Sequence, residues 1–334
     1  MAKRVAMGLR AVVAGLGGSP FLAGVDARDR EPARIAGTVL GGLGAGVLLG
    51  LVVGMAVLIA YAFAAGAGGA GVEGMLRQIV ALLQADAPDL LAAVFILMVP
   101  AATNAPTALV FIAMAALLTH HRIRNYVTAA VRVRWRLLAA GLAMNVILTG
   151  ALMLIDQWIA PGSKPAPILS VSAGMFGRAA YAIAAVALLI PAAAAEEIVF
   201  RGWLLRQTAA FLRNPVTLLV VNGVLFSAIH LDFAPDAFLA RSVMGAGFAY
   251  MTLRLGGIEF ATGAHAANNI LIVLFVEPLI LKPSEPTGFS AGTVLEDVLL
   301  VIGYVVITEL VVRWPRLRRL TRIQDEELSV PHLD

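Results

Sequence analysis

The pair Glu196-Glu197 ends a charge-free run from Ala179 to Ala195, and Arg201 follows four residues later. A charge at bilayer depth costs ~2.5–3.5 kcal/mol even on lenient insertion scales, so these charges mark either chemistry or an obligatory ion pair. Two histidines share the apolar setting: His230 in VVNGVLFSAIHL, and His265 in FATGAHAANNILIVLF, with Asn269 four residues further on. A carboxylate and an imidazole can share the proton work of activating water, while a second imidazole and an amide donate to a developing oxyanion. One buried histidine usually packs; two, with Glu196, Glu197 and Asn269, point to a site.

Spacing sorts these groups. Glu197 and Arg201 share one helix face and suit an intrahelical ion pair. Glu196 lies about 140° around the helix from Arg201 at ~100° per residue, so it points elsewhere. His265 and Asn269 share a face. Phe226 precedes His230 by the same interval, which stacks a ring against the imidazole.

The elements that position them must be membrane helices. Of 334 residues 60% are hydrophobic and only 14% charged, with no charge from Ile35 to Val72, Leu90 to Thr119 or Leu137 to Ile155. A spanning helix needs about 20 mostly apolar residues, and a soluble chain has no use for several such runs. The fold class read from this is all-α: a polytopic integral membrane helical bundle. About eight transmembrane helices are expected, near 36–62, 90–118, 137–155, 179–200, 215–231, 237–253, 257–276 and 296–313. The first run is long enough to tilt or to add an interfacial segment, and its glycines suit close packing. Asn104 with Pro106 is expected to break the second span, and Asn145 to hydrogen-bond a neighbouring helix. Residues 73–89 read as a short amphipathic helix on the outer surface, 161–172 as an irregular outer loop and 323–334 as a polar tail. The N-terminus, with Lys3, Arg4 and Arg10, does not read as a signal peptide.

Arginines set the orientation. Residues 120–136 and 313–322 carry five each, and Arg28, Arg30, Arg34, Arg201, Arg206 and Arg213 lie on the same side, whereas the opposite loops hold Arg77 and Lys164 alone. The positive-inside rule places both termini in the cytoplasm. These membrane-flanking charges account for the basic balance, so nucleic acid is not an expected partner; the lipid bilayer is. No cysteine is present, which removes thiol chemistry and disulfides. His120, His121 and His332 read as solvated. Arg241 is expected to pair with Asp236 or Asp232, and Glu309 with Arg313.

Glu196 meets His230 only if the fourth span continues as helix to Arg213 and turns at Asn214-Pro215. Each residue then stands 17 positions from the turn, ~25 Å at ~1.5 Å per residue, in a hairpin expected to protrude into the cytoplasm. Pro191 is expected to kink the helix beside the site. His265 follows a turn near Arg254-Gly257 by eight residues, so all four groups can converge in the cytoplasmic half of the bilayer.

EEIVFRG (Glu196–Gly202), FSAIH (Phe226–His230) and HAANN (His265–Asn269) resemble the EExxxR, FxxxH and HxxxN motifs of the CAAX protease and bacteriocin-processing (CPBP, or Abi) family, which includes the Ras-converting CAAX endopeptidases. All three occur, in order, on successive hydrophobic segments. The resemblance covers a catalytic core of about 130–276; the span and charge pattern sets apart a basic cytoplasmic segment 1–34, an N-terminal membrane region 35–129 of about two spans, and an outer loop, last span and basic tail 277–334. It implies an intramembrane endopeptidase with Glu196 as catalytic glutamate, His230 as its partner, and His265 and Asn269 stabilising the oxyanion. Glu197, Arg201 and Phe226 fill the remaining motif positions. The implied substrate is a membrane-associated protein or peptide; the apolar runs and arginine placement put the chain in the cell membrane, with the site open to the cytoplasm.

The family has been described both with and without a metal. Glu196, His230 and His265 could supply a Zn2+ site, but Asn269 is a poor ligand and no other histidine lies in a span, so hydrolysis without a cofactor is the expectation. The sequence holds no HExxH, no GxGD aspartate pair and no GxSxG elbow; Ser227 lies near His230 without an oxyanion loop. A non-proteolytic relative acting as a binding or chaperone protein, and a proton-coupled transporter, are the alternatives. Intact motifs argue against the first and the absence of internal repeats against the second.

Overall fold

The computed structural model describes residues 11–159, 165–171, 174–281 and 289–323. Lys164, His332 and most of the polar tail lie outside them. Among the described residues every regular element is helical, apart from one isolated antiparallel bridge between Thr128 and Gly257. The principal helices are α1 (Pro32–Ala64), α2 (Gly71–Leu83), α3 (Leu90–Thr119), α4 (Trp135–Ile159), α5 (Met175–Ala209), α6 (Pro215–Ala228), α7 (Pro235–Leu255), α8 (Glu259–Val276), α9 (Ala291–Arg313) and α10 (Pro315–Thr321).

All eight segments expected as spans are helical, but the number that cross is not fixed at eight. Five (α1, α3, α4, α5 and α8) are long and apolar enough. Helix α6 has only 14 residues. Helix α7 carries Asp236, Arg241 and Arg254, and α9 carries Glu296, Asp297, Glu309 and Arg313. Helix α3 runs unbroken through Pro100 and Pro106, against the break expected at Asn104-Pro106. Proline is tolerated in membrane helices because neighbouring groups re-satisfy the freed backbone. The amphipathic segment forms α2 but ends at Leu83. The loop expected at 161–172 includes a helical turn, Pro167–Ser170.

Turns are fixed by local chemistry. Asn214 caps α6, its Oδ1 accepting from the Val216 and Thr217 N–H groups at 2.9 and 3.2 Å, with Pro215 in the first turn. Gly256 ends α7 at φ 69°, a conformation that favours glycine. The next residues lock onto the loop before α4: Ala129 N–H donates to Gly256 O at 2.8 Å and Ile258 N–H to Val127 O at 2.9 Å. Arg134, 7% exposed, completes the clamp through Glu259 Oε2 at 2.7 Å and Leu255 O at 2.7 Å. One arginine of the basic loop is thus a buried structural cation.

His121 also departs from expectation. Its Nε2 lies 3.2 Å from Asp29 Oδ2 with both side chains nearly sealed from solvent, and its ring meets Tyr126 edge-on. Tertiary contact between the N-terminal segment and the loop after α3 removes it from solvent.

The core around the future site is built on α8. It packs most extensively on α4, where Gly141 faces the Phe260 carbonyl and Gly263 faces the Leu138 carbonyl so closely that a Cβ on either would collide with backbone. This brings α8 into the bundle centre, between α4 and α5. Asn145 bonds a neighbouring helix as expected: Tyr304 O–H of α9 donates to its Oδ1 at 2.7 Å.

Candidate active site

Helix α5 delivers the charged triplet. Glu197 and Arg201 are fully buried and joined at 2.9 Å between Oε1 and Nη1. The Arg201 guanidinium also donates to Gly245 O at 3.1 Å, and its carbon stands 4.2 Å from the Phe226 centroid and 5.1 Å from that of Phe248. A buried cation needs such partners, because several kcal/mol of desolvation must be offset. The i,i+4 pairing survives although α5 becomes π-helical over Ile198–Leu204.

Glu196 points away from that pair, as its helical angle requires. Its Oε1 accepts from Asn104 Nδ2 at 3.1 Å, and its Oε2 lies 3.7 Å from His265 Nε2. About a quarter of its side chain remains accessible. His265, on α8, is nearly buried and places Nδ1 2.9 Å from Glu197 Oε1. A carboxylate only accepts, so Nδ1 is the donor and Nε2 is aimed at Glu196. Phe248 stacks on the ring at 5.0 Å, backed in turn by Tyr304 at 5.8 Å.

His230 lies just beyond the end of α6, exposed, with Nδ1 donating to Phe226 O at 2.8 Å. That bond leaves Nε2 as its free nitrogen. The chain then reverses through Leu231 at φ 55°, a left-handed conformation that costs a leucine ~1–2 kcal/mol. Phe226 meets both imidazoles edge-on, His230 at 5.0 Å and His265 at 5.9 Å, so one ring spaces the two. Glu196 itself contacts His265 and Asn104 rather than His230. Asn269 follows His265 by one helical turn, half-buried, and no described residue hydrogen-bonds its amide.

The structure therefore gathers Glu196, Glu197, Arg201, Phe226, His230 and His265 around one centre, with Asn269 one helical turn beyond His265, and adds Asn104 from α3. Asn104, expected only as part of a helix break, is the site residue that sequence reasoning missed. Ser227 is spent elsewhere, its hydroxyl donating to Phe238 O at 2.9 Å.

Metal donors were tested by convergence. The ligand atoms of Glu196, His230 and His265 do not gather within 4.8 Å of one another; among the described residues only those of Asp26, Asp29 and His121 do. That second cluster is already satisfied by protein donors. Arg28 occupies Asp26 at 2.5 Å and holds its carboxyl down at about 2, while Asp29 Oδ2 accepts Asp26 N–H at 2.8 Å. We read it as a structural clip.

Residues 177–271 match the Rce1-like family, described as type II CAAX prenyl endopeptidase Rce1-like. The uncharacterized protein YyaK of Bacillus subtilis (strain 168) is 31% identical over 160 residues, covering 46% of this chain and 52% of YyaK. The chain thus spans about half the length of the curated relative it matches. No solved structure matches. The matched segment contains every side chain of the constellation except Asn104, and over these residues, 177–271, the chain is similar to the Rce1-like family.

Proposed function

We propose that the chain is an intramembrane endopeptidase that hydrolyses a peptide bond of a membrane-associated protein or peptide. The observation that carries this reading is the two-sided hold on Glu196. An amide fixes one carboxylate oxygen while an oriented imidazole faces the other, in a segment that matches a peptidase family.

Glu196 acts as the general base. The 3.7 Å between its Oε2 and His265 Nε2 is too long for a direct hydrogen bond and leaves both atoms within reach of one shared water. The water gives its proton to Glu196 as its oxygen attacks the scissile carbonyl. That proton passes from Glu196, by way of water, to the free Nε2 of His230 and from there to the leaving amine, which returns both groups to their starting states. The developing oxyanion is met by the Asn269 amide and by His265 Nε2, which donates from the doubly protonated ring. Glu197 and Arg201 position His265 and balance the buried charge. No step is routed through a metal. The enzyme works in the cell membrane with its site open to the cytoplasm.

The test is membrane proteomics of cells carrying Glu196→Gln beside wild type. An uncleaved precursor accumulating only in the variant supports the reading; identical membrane proteomes would overturn it.

A further inference from the structure

Arg136 at the start of α4 and Arg316 and Arg319 on α10 line one pocket of about 370 Å³ together with Leu320. All three arginines are exposed, no carboxylate lines the pocket, and none of the three is hydrogen-bonded or ion-paired to a described side chain. Their neighbours are differently employed: Arg134 is bound to Glu259 and Arg313 to Glu309. The fold neutralises two cations of this region and turns three others onto one void. Three guanidinium groups around a shared space repel unless an anion joins them.

The surroundings specify which anion. Leu320, 65% exposed, gives the pocket an aliphatic edge, and the segments that carry its arginines also expose Trp135 (70%) and Trp314 (50%). Exposed tryptophan beside a membrane helix sits at headgroup level. Helix α10 follows α9 directly, and its Leu317 packs onto the core beside Leu137, laying the short basic helix across the start of α4. A basic segment with an apolar edge at a helix terminus is suited to an anionic bilayer surface.

We propose that this pocket binds the phosphate headgroup of an anionic membrane lipid, with the acyl chains leaving past Leu320 and Trp314. Planar guanidinium groups engage phosphate oxygens in pairs, and three of them from two separate segments define a place as well as a charge. The rim distinguishes this occupant from free phosphate, which has no use for apolar edges. The site is independent of proteolysis.

Native mass spectrometry of the purified full-length protein, titrated with phosphatidylglycerol, phosphatidylcholine or inorganic phosphate, tests it. Wild type should retain phosphatidylglycerol roughly 10-fold or more over phosphatidylcholine, as several lipid-facing basic groups imply. The triple variant Arg136→Ala/Arg316→Ala/Arg319→Ala should lose that preference, and the exposed control Arg122→Ala/Arg132→Ala/Arg213→Ala should keep it. Single Arg319→Glu, which removes less packing, should weaken it as well. Equal retention of both lipids, preference surviving in the pocket variants, equal loss in the control, or displacement of lipid by inorganic phosphate would each overturn the proposal.

Discussion

His265 Nδ1 lies 2.9 Å from Glu197 Oε1, the same oxygen that accepts Arg201 Nη1 at 2.9 Å. The second glutamate of the pair therefore does more than hold an arginine. It fixes the ring orientation of the histidine and turns the other ring nitrogen toward the first glutamate. Adjacent residues on one helix divide the work, one facing the open side of the site and one sealed behind it.

Glu196→Gln removes the base while keeping the shape, and a Gln side chain still bonds Asn104. Cleavage should fall by ~10²–10⁴-fold with an unchanged Tm. Activity within tenfold of wild type would remove Glu196 from the base role.

Asn104→Ala deletes the amide that fixes Glu196. Losing a hydrogen bond to a charged acceptor is worth ~1.5–3 kcal/mol, so kcat/KM should drop about 10-fold or more if the loss is felt in the transition state. Asn104→Asp should be worse, since it sets a second carboxylate against the first. A Tm unchanged in both variants would separate positioning from folding; unaltered kinetics in Asn104→Ala would show that the bond is idle.

Glu197→Gln leaves Arg201 buried without its counter-charge. Breaking one partner of a buried pair costs ~3–5 kcal/mol, read as lower yield and a lower denaturation midpoint in detergent. The double variant Glu197→Gln/Arg201→Met should recover part of that stability although activity stays low. Wild-type stability in the single variant would contradict the buried-pair account.

Gly263→Ala forces α8 away from α4, because the new Cβ meets the Leu138 backbone. Gly150→Ala, on α4 with open space around it, should be neutral or stabilising by about 0.5–1 kcal/mol through helix propensity. Thermal unfolding of the two variants side by side decides the matter. Equal behaviour would mean that the helix contact is looser than described.

Cysteine at exposed Arg213 or Gln84 of this cysteine-free chain reports orientation. Arg213→Cys should label from the cytoplasmic face and Gln84→Cys from outside. The reverse pattern would invert the topology.

Contacts within one helix turn were legible in the sequence, and several short-range pairs formed as spacing required: Glu197 with Arg201, and Glu309 with Arg313 at 2.8 Å. Arg241 chose Asp232, at 2.6 Å, from the two candidates. What stayed hidden joins segments far apart. Asn104 and Glu196 are 92 residues apart, as are His121 and Asp29, and no periodicity records such a meeting. Pro106 drew attention to a break rather than to the polar side chain two residues before it. Arg134 looked like one basic residue among five, because nothing local announces its buried partner Glu259.

The shortness of α6 bears on the bilayer itself. Fourteen residues reach ~21 Å at ~1.5 Å each, against a hydrocarbon thickness of ~30 Å. Past its end the Leu231 N–H still donates to Ala228 O at 3.2 Å, but from Leu231 to Ala234 the backbone is no longer helical, and lipid does not accept free N–H and C=O groups. Where α6 crosses, the membrane pinches or solvent dips to the depth of His230. Either deformation creates a wet dimple at the edge of the bundle, through which water reaches His230 from the side without a channel bored through the protein.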